Sequence, residues 1–172
     1  MEKLLVFMMI LVSVLSLWVK DVEIFIMDRG YRTVQYSIEH AVHDGALQVD
    51  TQALADGNII FIPTLAEEKI RESLRMNLSL DTQLRPNSLT LLDAPVTIDD
   101  IVYIDDNYID PMTGIKIVFP TNWEYTLPDG RKFERAIFGP SIAMVLDVKV
   151  KGAEEHMKKF TIQEYKGEFL QN

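Results

Sequence analysis

Residues 4–19 form an uninterrupted apolar run whose only polar members, apart from the indole of Trp18, are Ser13 and Ser16. At 1.5 Å per residue, a helix of this length spans about 24 Å, a little short of the roughly 30 Å hydrocarbon core of a bilayer. Lys20 can extend its ammonium to the headgroups and Trp18 suits the interface, which covers the deficit. Such a run is either a cleaved signal peptide or a retained signal anchor. The best cleavage site follows Ser16, with Val14 and Ser16 in the small-residue positions, and it lacks Ala-x-Ala character. The helical pattern also continues beyond it, which favours the anchor. The amino terminus and Lys3 before the run, against Asp21, Glu23 and Asp28 after it, predict a cytoplasmic N-terminus and an extracytoplasmic remainder.

After the run, apolar or small residues recur at Val22, Ile26, Gly30, Thr33, Val34, Ser37, Ile38, Ala41, Val42, Gly45, Ala46 and Val49. Steps of three and four mark one face of an amphipathic helix. Asp28, Arg29, Arg32, Gln35, Glu39, His40, His43 and Asp44 take the other face. No proline precedes Pro63, so anchor and amphipathic helix are predicted as a single rod through residue 49. Gly30, Thr33, Ser37, Ala41 and Gly45 permit close approach of another backbone. The expectation is a partner contact at Ile26, Gly30 and Thr33, with the domain's own sheet lying against Ile38, Ala41 and Gly45.

Residues 51–64 read as a break containing a short strand at 59–62. A second helix is predicted over 65–78, with Thr64 as N-cap and Glu67 at the capping-box spacing. The remainder reads as strands at 88–92, 96–104, 114–119, 122–126, 132–136 and 141–150, with an edge strand at 160–169. Leu127-Pro128-Asp129-Gly130 is a hairpin turn in composition, and Pro111-Met112-Thr113-Gly114 is another turn. The predicted class is α+β: a long N-terminal helix, a short second helix and a mostly antiparallel sheet. Its parts are a membrane anchor at 1–20, an amphipathic helix at 21–50 and an extracytoplasmic domain at 51–172.

Charge narrows the partners. The chain holds 17 basic and 26 acidic side chains, of which only Glu2, Lys3 and Lys20 fall in residues 1–20; residues 21–172 keep 15 and 25, a net −10. Phosphate backbones repel such a domain, which argues against nucleic acid. The absence of cysteine excludes disulfides, thiolate metal sites and cysteine nucleophiles.

No residue set calls for catalysis or a cofactor. His40 and His43 stand at i and i+3, whereas a metalloprotease helix places two histidines at i and i+4 with a glutamate between. Asp99, Asp100, Asp105, Asp106 and Asp110 surround Asn107, but a calcium loop starting at Asp105 would need Gly where Asp110 stands and Glu where Lys116 stands. Gly139-Pro140-Ser141-Ile142-Ala143 ends in Ala where a nucleophile elbow has Gly, and reads as a turn entering a strand.

Asp28-Arg29-Gly30-Tyr31, followed by Gln35, Ile38, Ala41, Asp44, Gly45, Ala46 and Leu47, resembles the post-membrane region of TadE/TadG-like and other pilin-like proteins. In that group an apolar N-terminal helix continues into an amphipathic one and a small β-rich domain follows. The resemblance covers the first fifty residues. It implies a minor pilin or pseudopilin: a membrane-anchored, non-enzymatic subunit that assembles with other subunits of a filament, secretion or conjugation apparatus. A membrane-tethered protein-binding module, and an enzyme using scattered carboxylates, are the readings from other classes.

Overall fold

The computed structural model describes residues 2–127 and 130–167. The helical period is realised as one helix, α1 (Glu2–Ala46), of 45 residues, about 68 Å long at 1.5 Å per residue. It stops three residues before the expected end, where the Gln48 N–H donates to Gly45 O at 3.0 Å and Val49 forms a bridge with Phe61. That bridge is all that remains of the expected strand at 59–62. Between its partners lies a helix that the sequence reading did not contain, α2 (Thr51–Ala55). Asp50 caps it, its Oδ1 accepting from the Gln52 and Ala53 N–H groups at 2.8 and 3.1 Å.

Helix α3 (Pro63–Leu78) begins two residues earlier than expected. Ile62, not Thr64, is its N-cap and makes no side-chain capping bond; Pro63 opens the helix because its missing N–H would have no partner there anyway. Ala66, Ile70, Ser73, Leu74 and Leu78 are buried, a stripe at steps of three and four. Gly45 of α1 lies over the start of α3, and Gly30, Thr33 and Val34 share a cavity with Leu78 and Ser79 at its end. The two helices are therefore antiparallel neighbours.

Five strands follow: β1 (Thr97–Ile104), β2 (Thr121–Thr126), β3 (Lys132–Ile137), β4 (Ser141–Val148) and β5 (Met157–Glu164). They divide into a three-stranded antiparallel sheet, β1-β4-β5, and a separate β2-β3 hairpin. The expected strands at 88–92 and 114–119 reduce to single bridges, Leu92 with Val150 and Ile109 with Lys116. Of the two predicted turns, the one at 111–114 is built around Asp110, whose Oδ1 accepts from the Met112 N–H at 2.9 Å, and Gly114 takes φ +67°. In the other, Pro128 and Asp129 lie outside the described residues, and Leu127 and Arg131 close the hairpin with a 2.8 Å backbone bond. Residues 168–169 of the expected last strand also lie outside them.

β4 shows how the layers form. Its sequence Ser-Ile-Ala-Met-Val-Leu-Asp-Val is apolar with almost no alternation, as a strand covered on both faces must be. Ile142, Met144, Leu146 and Val148 join the core built by Val34, Ile38, Ala41 and Val42 of α1 with Ile70 and Leu74 of α3. Ala143 points the other way, into a second core with Ile104, Trp123, Ile137 and Ile162. The hairpin covers that second face through stacked rings, Phe133 on Phe160 at 4.5 Å and Trp123 on Phe160 at 6.4 Å. Fully burying one Ile or Leu side chain contributes about 1.5–3 kcal/mol, so both cores are needed for a domain of this size.

Candidate interaction surfaces

Side chains of the apolar run are exposed throughout. Within Lys3–Ala46, the most apolar 18-residue window has a mean hydropathy of 2.1 and is 0% buried, which makes this helix long and apolar enough to cross a membrane. Ser13 Oγ donates to Met9 O at 2.9 Å and Ser16 Oγ to Val12 O at 2.8 Å. Both hydroxyls are satisfied by their own helix, so neither resists a lipid surround. An N-terminal helix of this kind is a candidate membrane anchor or export signal.

The three residues expected to contact a partner separate in the structure. Ile26 is 38% exposed. Gly30 is buried, and a Cβ built there would fall well inside the van der Waals radius of Val150 Cγ1. Thr33 is half-buried and lines a cavity of about 210 Å³ with Gly30, Val34, Leu78, Ser79 and Leu92. The close approach that Gly30 permits is thus taken up by this domain's own chain. A second correction concerns Gly45, expected against the sheet: its neighbours are Ile70 Cγ1 at 2.7 Å from a built Cβ and Ala66 O at 3.3 Å, both on α3. Ile38 and Ala41 do enter the core that includes β4.

A different stripe of α1 is left uncovered. Val22 is 47%, Ile24 59% and Phe25 64% exposed, beyond the apolar run and before the domain begins, with Ile24 facing away from the other two. With 3.6 residues per turn, Trp18, Val22 and Phe25 lie on one side of the helix. Gly30, Val34, Ile38 and Ala41, which the domain covers, lie roughly 150° around it. Ile26 flanks the free stripe. The sequence reading missed Phe25 altogether, although its three-residue step from Val22 continues the spacing of the run.

The acidic cluster is occupied with folding. Asp106 Oδ2 accepts from the Ile59 N–H at 2.6 Å and Asp105 Oδ2 from the Phe61 N–H at 3.3 Å, which pins the end of β1 to the segment after α2. Asp100 accepts from the Tyr125 hydroxyl at 2.6 Å, Asp99 pairs with Lys158, and Asp110 holds its turn. The backbone and hydroxyl donors of Met112 and Thr113 keep the Asp110 carboxyl below the usual carboxylate range. Among the described residues, no three His, Cys, Asp or Glu side chains are arranged to hold a metal. His40 is exposed and His43 half-buried, on the same helix. Ser141 is buried, and its Oγ donates to Gly139 O at 2.8 Å.

Between the segment after β1 and the start of β2 lies an open cleft of about 690 Å³. Residues 115–118 line one wall and residues 121–124 the other. Met112, Ile115 and Val118 stand exposed on its rim, Val118 at 77%.

No family model matches the chain, and no curated protein or solved structure matches it either.

Proposed function

We propose that this protein is a non-enzymatic, membrane-anchored subunit of minor-pilin or pseudopilin type, which joins a filament, secretion or conjugation apparatus by packing α1 against helices of neighbouring subunits. In this arrangement the N-terminus is cytoplasmic and the domain from residue 51 onward is extracytoplasmic. One observation carries the reading: Val22, Ile24, Phe25 and Ile26 are exposed on a helix segment that is past the apolar run and not covered by the domain. Apolar surface removed from water contributes about 25 cal/mol per Å², so these side chains on a rigid rod favour a covering partner. The rod also fixes how far the domain stands from the membrane, as an assembly of repeated subunits requires.

The cleft between residues 115–118 and β2 favours a second reading, a membrane-tethered module that grips a protein there. The exposed apolar side chains of Met112, Ile115 and Val118 on its rim suit an apolar segment of a partner.

Single cysteines introduced into this cysteine-free chain at Phe25 and at Val118 separate the two. In cells that make the complete apparatus, capture of a subunit at Phe25 supports assembly through α1. Capture confined to Val118 transfers the function to the cleft.

A further inference from the structure

We propose that the β2-β3 hairpin is a hinged flap, which lifts from the three-stranded sheet as a unit while the core between that sheet and the helices stays closed. The flap does not depend on the role proposed for α1.

The register places Thr121, Trp123, Tyr125, Phe133, Arg135 and Ile137 on one face of the hairpin. Asn122, Glu124, Thr126, Lys132, Glu134 and Ala136 take the other, and all six are exposed. A two-stranded unit of this kind is at best marginally stable alone, so its fold depends on what the apolar face covers. The centre of that contact is one ring: Phe160 of β5 stacks with Phe133 at 4.5 Å, Tyr125 at 6.2 Å and Trp123 at 6.4 Å.

The attachment runs through side chains. The two sheets share no ladder, and among the described residues no main-chain hydrogen bond joins residues 121–137 to the rest of the domain. The Tyr125 hydroxyl donates to Asp100 at 2.6 Å, and Arg135 Nη1 donates to Ile162 O at 3.4 Å. At the exit, Phe138 is exposed and its N–H donates to Glu164 Oε1 at 3.0 Å. A Cβ built on Gly139 would meet nothing within 4 Å, so this connection has room to turn.

The first core has no such dependence. Ile142, Met144, Leu146 and Val148 pack with α1 and α3, and the β1-β4-β5 ladders are complete without the hairpin. Supersecondary units joined to a domain only by side chains open at lower free energy than the core they rest on. Lifting uncovers Ala143 and Ile162, which belong to the second core, and leaves Met144 covered in the first. It also reshapes the cleft, because Thr121–Glu124 and Lys132 are among its lining residues.

Neighbouring positions on β4 read the two cores separately. In the full-length chain, which has no native cysteine, Ala143→Cys puts a thiol under the hairpin and Met144→Cys puts one in the first core. Under native conditions a thiol reagent should label Ala143→Cys about tenfold or more faster than Met144→Cys, even though truncating Met144 favours unfolding of the first core. Adding Phe160→Leu should speed labelling at residue 143 by about tenfold and leave residue 144 unchanged. Hydrogen exchange of the wild-type chain needs no substitution. The lifted hairpin is marginal by itself, so the ladder amides of β2 and β3 should exchange through one shared opening that β4 does not undergo. Equal labelling of the two cysteines, or acceleration of both or of neither by Phe160→Leu, would mean that there is no separate flap held by this ring. Wild-type exchange in which β2, β3 and β4 open in a single step would overturn the proposal as well.

Discussion

Gly30 and Val150 meet where the helix emerging from the apolar run first touches the domain, and the contact is so close that there is no room for a Cβ between them. Val150 is held from behind by its bridge to Leu92, so it cannot retreat cheaply. Gly30→Ala gains about 1 kcal/mol in helix propensity but forces overpacking that costs about 1–3 kcal/mol, so the net effect should be neutral to destabilising by up to about 2 kcal/mol. Gly30→Leu should be worse. The distinctive outcome is coupling: in a double-mutant cycle, Val150→Ala should relieve part of the Gly30→Ala cost. Strict additivity in thermal melts would show that the two residues do not share this contact.

Ala41 lies five residues before the end of α1 with no exposed surface, in the core that α1 shares with α3 and the sheet. Ala41→Pro removes an internal hydrogen bond and clashes with the preceding turn, at a cost of about 3 kcal/mol or more. That is a large share of the 5–15 kcal/mol typical of a domain. A wild-type melting temperature for this variant would mean that α1 is not continuous through residue 41.

Local signals were legible, and the choice of partner was not. The three-four period gave α1, the same period gave α3, and short β-prone runs gave all five strands within one to three residues at most ends. What failed depended on residues far away in the chain. Gly30 and Gly45 announce that something comes close, but not whether it is Val150, Ile70 or another molecule. Residues 88–92 and 114–119 have strand composition, yet each finds only one bridging partner, Val150 for Leu92 and Ile109 for Lys116. Pro63 looked like a breaker before a Thr64 cap, whereas proline is equally at home as the first residue of a helix. The aspartates around Asn107 looked like loose carboxylates, and their acceptors turned out to serve backbone donors 44 and 47 residues away.

Alkaline pH should loosen the attachment of the hairpin. The Tyr125 hydroxyl donates to Asp100 across the gap between β2 and β1, and burial first, then that carboxylate, push its pKa up to about 12. Tyr103, bonded to Pro63 O at 3.2 Å, is also raised to about 12, by burial and then by Glu67. Both values lie above the unfolded value near 10, so the protonated forms stabilise the fold fully below about pH 10, and this contribution is lost as pH rises from there toward 12. In a tyrosinate absorbance titration, two of the six tyrosines should ionise late. Tyr125→Phe should remove one of those late steps. If every tyrosine titrated together near 10, neither hydroxyl would be held as described.

Function and stability should separate at the two exposed apolar surfaces. Phe25 and Val118 belong to separate surfaces, are 64% and 77% exposed, and neither belongs to either core. Phe25→Asp and Val118→Asp should therefore each change domain stability by no more than about 0.5 kcal/mol, as surface substitutions usually do. Their effects on partner capture should differ. Phe25→Asp puts a charge on the uncovered side of α1, beside Asp21 and Asp28, and should abolish crosslinking at Val22 while leaving any capture at Met112 intact. Val118→Asp should do the reverse, removing capture at the cleft and sparing Val22. A melting temperature lowered by Val118→Asp would mean that this domain's own chain packs into the cleft, so the cleft would not be a free surface. If both variants melt like wild type and neither alters any capture, function does not run through these apolar surfaces, and the acidic face formed by the remaining exposed side chains becomes the place to search.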